Sequence, residues 1–211
     1  MTQPVDIERE DDGSDIARRS IGARRNPASQ DAILDAAEAI LREEGIPGFS
    51  IEAVARRARA GKPTIYRWWP NRAALLLDVY KRFKNQRPFP DTGTLRGDLV
   101  GFLENQLLGF WKDSLCGTVY RSIIAEAQVD AGAAAALQAY HRERQVFAAQ
   151  IVERAKGRGE IDKGVNAVVA IDLVVSFAWH QLLIGRIEAA MDEIEVVVDM
   201  VLQGLEGYRA T

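Results

Sequence analysis

The chain has 211 residues, a formal net charge of −3 and one cysteine, Cys116. Hydrophobic residues make up 47% of it and charged residues 27%, which are the proportions of a soluble globular protein with a sizeable core. The acidic balance excludes a protein that is basic throughout, and the single cysteine excludes both an internal disulfide framework and a zinc site built from several cysteines.

The first residues differ from the rest in charge and in apolar content. Residues 1–26 have few large apolar side chains and no periodicity, so we expect a disordered arm. The arm starts acidic where a signal peptide would be basic and then apolar, and we therefore expect a cytoplasmic protein. Residues 18–72 carry eleven basic and six acidic side chains, a net charge of +5. This concentration favours an anionic partner, above all nucleic acid, although basic residues that merely solubilise helix faces would give the same total.

Apolar periodicity and capping residues predict four helices before residue 87. They cover 30–44, 51–58, 62–69 and the residues that follow Asn71. Ser50 and Asn71 are the predicted N-caps of the second and fourth helices. Pro63 is tolerated only in the first turn of a helix, so the third helix must begin at residue 62 or 63, and Pro70 ends it.

The segment 87–94, RPFPDTGT, is the clearest boundary in the sequence, because proline and glycine interrupt the helical pattern there. Five further helices are predicted after it, over about 95–112, 118–128, 133–156, 165–187 and 191–207. No segment alternates convincingly between apolar and polar residues at period two, so no sheet is expected. The predicted fold class is therefore all-α, with about nine helices.

The third predicted helix carries the strongest functional signal. It is too short to be stable alone and must be held by its neighbours through Ile65 and Trp69. Its other face presents bases, a hydroxyl and aromatic rings to the outside: Lys62, Thr64, Tyr66, Arg67 and Trp68. These are the side chains that a helix needs in the major groove of DNA, where Arg and Lys pair with guanine and hydroxyls contact phosphate.

The same stretch resembles the DNA-binding domain of the TetR/AcrR family of bacterial transcriptional regulators. The residues that carry the resemblance are Phe49-Ser50, Val54-Ala55, Lys62-Pro63-Thr64-Ile65-Tyr66, Trp68-Trp69-Pro70, Asn71-Arg72 and Leu75. The likeness is strong over 28–85. It is weaker over 118–207, where IIAEAQVD and the final two helices are similar to one type of C-terminal domain in that family.

Two positions depart from the family pattern. Arg59 stands where the turn between the two helices usually has glycine, and Gly61 stands where the family usually has a capping serine. Arginine at positive φ costs roughly 1 kcal/mol, so the turn either avoids that conformation or accepts the strain. Glycine at Gly61 weakens the cap of the third helix without removing it.

The resemblance implies a two-domain regulator. A three-helix helix-turn-helix domain would cover 27–87, with the motif at about 50–69, and an effector-binding and dimerisation domain would cover 88–211. The implied function is a ligand-responsive transcriptional regulator, a repressor that binds a palindromic operator as a homodimer and is released by a small-molecule effector. The residues implied at the DNA are Ser50, Lys62, Pro63, Thr64, Tyr66, Arg67, Trp68 and Arg72. Arg25 of the arm is a further candidate, for which a solvated tail is the alternative.

The last two predicted helices are the candidate dimer interface. The helix over 165–187 is apolar nearly all round, but Asp172 near its centre would cost roughly 3 kcal/mol in a bilayer, so burial on two sides within a protein is the better interpretation. The final helix has a regular apolar stripe: Ile194, Val197, Val198, Val201, Leu202 and Leu205. The family implies that two such helices from each chain form a four-helix interface. The alternative is that both stripes serve only the core of one chain.

A polar line on the helix over 165–187 suggests an effector pocket. Asp172, Ser176 and His180 follow each other at a spacing of four residues, and buried polar groups need partners. We expect the line to face a pocket walled by Phe102, Gln106, Phe110, Trp111, Tyr120 and Tyr140. An internal polar network or a patch at the dimer seam would explain the same line. The aromatic walls favour a lipophilic effector.

Catalytic patterns are weak in this sequence. No glycine-rich phosphate loop follows a strand, and neither His141 nor His180 belongs to the Glu-x-x-His motif of di-iron bundles. The two histidines and the cysteine form no evident triad. We therefore expect neither an enzyme nor a cofactor, metal site or membrane partner. The alternative function is a helical, dimeric ligand-binding or scaffold protein without sequence-specific DNA binding.

Overall fold

The computed structural model describes residues 27–84 and 88–208, so the expectations for the arm, with Arg25, lie outside it. Its helices are α1 (Pro27–Gly48), α2 (Ile51–Arg57), α3 (Lys62–Trp68), α4 (Arg72–Lys84), α5 (Leu95–Gly101), α6 (Gly109–Trp111), α7 (Leu115–Ala127), α8 (Ala131–Arg158), α9 (Ala167–Ile184), α10 (Ile187–Asp192) and α11 (Ile194–Gly207). A π-helical segment, Phe102–Leu108, joins α5 to α6. The described residues contain no strand, and the all-α fold class is confirmed.

The described part of the chain has one helix more than the sequence predicts. Because α5, the π-helical segment and α6 run on without a break, they match the single helix predicted over 95–112, and ten continuous helices result. The additional helix is α10. Gly185 adopts a left-handed conformation with φ 75°, which ends α9 before residue 187, and the Arg186 N–H closes the turn on the Gln181 carbonyl at 2.9 Å.

Local capping explains the helices of the N-terminal part. The Ala53 N–H donates to Ser50 Oγ at 3.1 Å, and the Ala74 N–H donates to Asn71 Oδ1 at 2.8 Å, so both predicted N-caps are confirmed. Helix α3 starts at Lys62 with proline in its first turn, as expected. Helix α1 contains a non-helical Gly45 (φ 67°) where the sequence predicts its end.

Helix α3 is stabilised from behind by its neighbours. The side chain of Ile65 is fully buried, and that of Trp69, directly after α3, is 2% exposed. The Trp69 indole Nε1 donates to Asp78 Oδ2 of α4 at 2.8 Å. These contacts supply the support that a seven-residue helix lacks on its own, and the predicted core role of Ile65 and Trp69 is confirmed.

Helix α4 connects the N-terminal helices with the C-terminal ones. It packs against α1 on one side and against α7 and α8 on the other. Its three leucines, Val79 and Tyr80 belong to one hydrophobic core that continues from α1 to α11. A displacement of α4 is therefore felt in both parts of the molecule, because close-packed interiors transmit strain.

Helices α9 and α11 are buried on one side only. In α11, Ile194 and Val198 lie in the core of the chain itself, because α11 packs on α5 and α9, so these two members of the predicted stripe are not available to a partner. Among the described residues, α9 is the one helix long and apolar enough to cross a membrane, and 39% of it is buried. The expected burial of α9 on two sides is wrong for a single chain.

Arg59, in the turn that joins α2 to α3, adopts the strained conformation, with φ 51°. The Ala60 N–H donates to the Ala55 carbonyl at 3.0 Å, the bond that closes a helix through a left-handed residue. We expect Arg59→Gly to raise the free energy of unfolding by up to about 1 kcal/mol, because glycine has no Cβ to strain there.

Arg121→Gly is the matched control for this prediction. Arg121 is exposed within α7, where glycine should lower the free energy of unfolding by about 1 kcal/mol. Both variants are measured by urea unfolding at equilibrium. A destabilised Arg59→Gly variant would show that the turn gains more from arginine than its conformation costs.

Candidate nucleic-acid interface and internal cavity

The outer face of α3 is open to solvent. Lys62, Pro63 and Arg67 are exposed, and Tyr66 is 48% exposed. Thr64 is half-buried. The opposite face carries Ile65, so α3 is amphipathic although it has only about two turns. The structure thus turns most of the predicted DNA-contacting side chains outward together.

Trp68 and Ser50 lie at the edge of this face. The Trp68 ring is half-buried against the core, with its centroid 6.3 Å from that of Trp69. Ser50 is half-buried, and its hydroxyl oxygen caps α2. An edge position leaves both residues within reach of a backbone that passes along α3, but neither is directed outward in the way that Tyr66 is.

Ion pairs fix α2 and α3 relative to each other and to α1. Lys62 Nζ lies 2.7 Å from Glu52 Oε1, and this hydrogen bond raises the pKa of Lys62 and lowers the pKa of Glu52. Arg57 Nη2 donates to Glu43 Oε1 at 2.6 Å, which anchors α2 on α1. Exposed pairs of this kind contribute little stability, so a phosphate can compete with Glu52 for the Lys62 ammonium.

Arg72 lies apart from the outer face of α3. Its Nη1 is 2.6 Å from Glu126 Oε2 of α7, and its Nε donates to the Phe49 carbonyl at 3.3 Å. Both partners of the ion pair are about three-quarters buried. The guanidinium predicted to contact a phosphate therefore joins the start of α4 to the C-terminal part of the chain in this structure.

An internal cavity lies between α4, α8, α9 and the π-helical segment. Seven aromatic side chains line it: Tyr80, Phe89, Phe102, Trp111, Tyr120, Tyr140 and Trp179. The Tyr80 and Tyr120 rings stack with centroids 4.8 Å apart, and the Trp111 Nε1 donates to the Tyr80 hydroxyl at 2.8 Å. The volume open to the centres of water-sized molecules is about 40 Å³, enough for a few waters.

Charged and polar groups interrupt the aromatic wall. Lys84 is 4% exposed, and its ammonium donates to the Gln106 carbonyl and lies 4.9 Å from the Phe110 ring centroid. The Arg144 guanidinium lies 4.8 Å from the Phe89 ring centroid. Sequence reasoning missed both cations. The available signal for Lys84 was its position four residues after Tyr80, which places both on one face of α4.

The tyrosine hydroxyls of the cavity remain protonated at neutral pH. Burial raises the pKa of Tyr80 and of Tyr120 well above the ordinary value for a phenol, and burial also raises the pKa of Tyr140. A protonated phenol both donates and accepts hydrogen bonds. The cavity therefore offers hydroxyl groups as well as aromatic surface.

The residues predicted for one pocket fall into two concavities. Phe102, Trp111, Tyr120 and Tyr140 line the internal cavity, while Gln106 and Phe110 lie behind its wall around Lys84. Ser176 and His180 are exposed on an open groove between α8 and α9.

Asp172 lies on the wall between the cavity and this groove. The Gln145 amide donates to both of its carboxylate oxygens at 2.8 Å, and His141 Nε2 is 3.7 Å from Oδ1. The polar line of α9 therefore divides: Asp172 has partners within the chain, whereas the other two residues face outward. In the described ranges, no cluster of three or more His, Cys, Asp or Glu side chains is arranged to hold a metal ion.

Comparisons with known proteins agree with this architecture. Residues 33–79 match the family model described as bacterial regulatory proteins, tetR family, and residues 89–201 match the model described as tetracyclin repressor-like, C-terminal domain. The HTH-type transcriptional regulator YdeS of Bacillus subtilis is 31% identical over 194 residues, which cover 90% of this chain and 94% of that protein.

Two further relatives extend the comparison. The DNA-binding transcriptional repressor TetR of Mycobacteroides abscessus is 32% identical over 159 residues, which cover 73% of this chain and 82% of that protein. The crystal structure of the TetR family transcription regulator SCO0332 superposes with a TM-score of 0.69 at 29% identity, covering 83% of this chain and 97% of that one. The chain belongs to the TetR family of bacterial transcriptional regulators and is a ligand-responsive DNA-binding regulator.

Proposed function

We propose that the chain is a cytoplasmic, non-catalytic repressor that binds a palindromic operator as a homodimer and leaves it when a small molecule enters the internal cavity. The observation that carries the proposal is α3, which is buried at Ile65 and Trp69 and open on its opposite side. This arrangement suits a recognition helix, because the side chains toward the DNA are exposed to solvent while the backbone is held in place from behind.

The proposed DNA contacts divide by chemistry. Arg67 and Lys62 are the candidates for base edges, where both prefer the guanine acceptors, and Thr64 and Tyr66 are candidates for phosphate. Pro63, Trp68 and Ser50 would border the contact surface, and Arg25 would reach the neighbouring backbone from the arm. In the free protein Lys62 is paired with Glu52, so Lys62 contacts DNA either by leaving this surface pair or through one of its other two N–H donors.

The proposed dimer uses the exposed apolar face of α9 and α11. We define this α9/α11 face by Val169, Leu173, Val196 and Met200, each more than half exposed in the single chain. Contiguous exposed apolar surface of this kind is typical of a protein–protein interface. Val197, Val201, Leu202 and Leu205 are half-buried beside it and remain candidate dimer contacts. Dimerisation would present two α3 helices at the roughly 34–36 Å spacing of successive major grooves.

The proposed response to ligand runs through α4. The C-terminal half of α4 contributes Tyr80 and Lys84 to the cavity, and its first residue, Arg72, contacts α7 beside the N-terminal helices. A lipophilic molecule needs more space than about 40 Å³, so its binding must widen the cavity, and in the proposed mechanism α4 is the wall that moves. The ligand shifts the equilibrium only by the difference between its affinities for the two conformations.

Arg67→Ala tests the proposed recognition helix. An operator is first selected from random duplex DNA, and binding is then measured by fluorescence anisotropy across a range of salt concentrations. We expect the variant to lose about 1–3 kcal/mol of binding free energy and to relax its base preference, because a guanidinium reads base edges by paired hydrogen bonds. The wild type should show a steep negative dependence of log K on log salt.

Arg121→Ala serves as the control for Arg67→Ala, since Arg121 is exposed on α7 next to Lys112 and Gly185, at a distance from α3. Its DNA affinity should equal that of the wild type. An equal loss on every DNA sequence would assign Arg67 to phosphate. Wild-type binding by Arg67→Ala and by Lys62→Ala would contradict the proposed role of α3.

The Arg72–Glu126 pair gives a second test. If Arg72 exchanges Glu126 for a phosphate on DNA, the wild type must break the Arg72–Glu126 ion pair in order to bind. Glu126→Gln removes that cost and should therefore raise operator affinity several-fold. Arg72→Gln should lower the favourable binding free energy by about 1.5–3 kcal/mol, the size of a single charge-assisted contact. In the Arg72→Gln background, Glu126→Gln should have no effect, and the double-mutant cycle measures this coupling. Additive effects of the two substitutions would refute the exchange.

Leu173→Glu with Met200→Glu tests the α9/α11 face. Both side chains are at least 60% exposed in the chain, so the double variant should fold, but burying two carboxylates in an apolar interface should abolish the dimer. Sedimentation velocity should give a monomer. The control is Val129→Glu, which also replaces an apolar side chain by a carboxylate but lies outside the α9/α11 face, at a site that is 88% exposed. It should leave the dimer intact. If the double variant is still a dimer, the dimer interface lies on a surface other than the α9/α11 face.

A further inference from the structure

The described side chains around the internal cavity carry more positive than negative charge. Among the lining residues that the structure describes, Lys84 and Arg144 contribute two cations and Asp172 contributes one carboxylate. Lys84 is the most deeply placed of the three, at 4% exposure, and its ammonium lies within 6 Å of the ring centroids of Tyr80, Phe110 and Trp111. The aromatic cavity therefore has a positively charged inner wall.

In the described part of the lining, Asp172 provides the single carboxylate, and neighbouring side chains hold it in place. Asp172 accepts hydrogen bonds from the Gln145 amide on both oxygens, and His141 lies on its other side. It also borders the open groove, where water screens its charge. Its effect on a molecule deep in the cavity is consequently smaller than that of Lys84, which the aromatic rings shield from solvent.

The apolar surroundings strengthen the electrostatic effect of this positively charged wall. Coulomb interactions in a protein interior are several times stronger than in water, so a ligand charge that faces Lys84 counts more there than on the surface. A cationic ligand would be repelled by the ammonium, and a neutral ligand would gain no charge–charge attraction from it. An anion forms a charge-assisted hydrogen bond with the ammonium, and protonated tyrosine hydroxyls can donate to the same oxygens.

We propose that the ligand of this cavity is a small apolar or aromatic molecule with one carboxylate, which binds with the carboxylate toward Lys84 and the apolar body on the aromatic rings. Arg144 is the second cation available to the same group. This inference rests on the proposed function, in which the cavity is the effector site. It narrows the expected lipophilic effector to an acid.

A matched set of probes tests the charge preference on the wild-type, full-length protein. The probes are 3-phenylpropionate, 3-phenylpropanamide and 3-phenylpropylamine, which share a ring and a chain and are anionic, neutral and cationic at neutral pH. Their dissociation constants are measured by isothermal titration calorimetry without DNA. We expect the carboxylate to bind at least about tenfold more tightly than the amide, and the amine to bind weakest.

Lys84→Met assigns the preference to this residue, because methionine keeps the length and apolar stem of lysine without the charge. The variant should bind 3-phenylpropionate about tenfold more weakly and should bind 3-phenylpropanamide as tightly as the wild type does. Arg144→Met, at a half-buried position, provides a second variant if Lys84→Met fails to fold, and it should reduce the same preference by a smaller factor. Lys112→Met removes an exposed cation outside the cavity and should change neither affinity.

Equal affinities for the carboxylate and the amide, tighter binding of the amine, or absence of saturable carboxylate binding would overturn the proposal. An undiminished carboxylate preference in both Lys84→Met and Arg144→Met would overturn it as well. Release of operator DNA by 3-phenylpropionate is measured separately. A protein that prefers the carboxylate but keeps its DNA would contradict the gating in the proposed function while the charge preference of the cavity stands.

Discussion

The packing of Trp69 against α4 is the constraint on which the rest of the molecule depends. A helix of seven residues does not keep its conformation in water. The conformation and position of α3 therefore depend on the contacts that support it. The Trp69 indole fills the space behind α3 and donates its N–H to Asp78, while Ile65 closes the same interior from within the helix. The orientation of the outer face is thereby determined by α4.

The role of α4 as support explains how two distant surfaces can be coupled in a small protein. Asp78 stabilises α3, and Tyr80 and Lys84, two and six residues further along the same helix, line the cavity. Rigid helices carry displacement along their axis, and the continuous core gives α4 no independent freedom on either side. A contact made in the cavity and the direction of α3 thus share one mechanical element, and Arg72 adds a charged contact to α7 at its start.

The features predicted correctly from the sequence are those decided by nearby residues. Ser50 and Asn71 cap their own helices, Pro63 can stand only in a first turn, and the spacing of Ile65 and Trp69 identifies the inner side of α3. These preferences act over three or four positions. A single sequence displays them directly, and the all-α architecture with its recognition helix follows from them.

The features that escaped prediction depend on partners far away in the chain. Arg72 contacts Glu126, which lies 54 positions further along the chain, and no local pattern indicates that contact. From the sequence alone, Lys84 is expected to be a solvent-exposed base at the end of a helix. In the structure, α8 and the π-helical segment enclose it. The apolar stripe of α11 is regular, but only the packing on α5 and α9 decides that Ile194 and Val198 belong to the core.

The π-helical segment has a consequence for how this cavity can change between relatives. Residues nine positions apart lie on about opposite sides of a regular α-helix, yet Phe102 and Trp111 line the same space. The wider turns of Phe102–Leu108 rotate the two rings into a common direction. If this segment became a regular α-helix of the same length, one of the two rings would turn away, so the backbone conformation of Phe102–Leu108 can remodel the ligand space without any substitution in its walls.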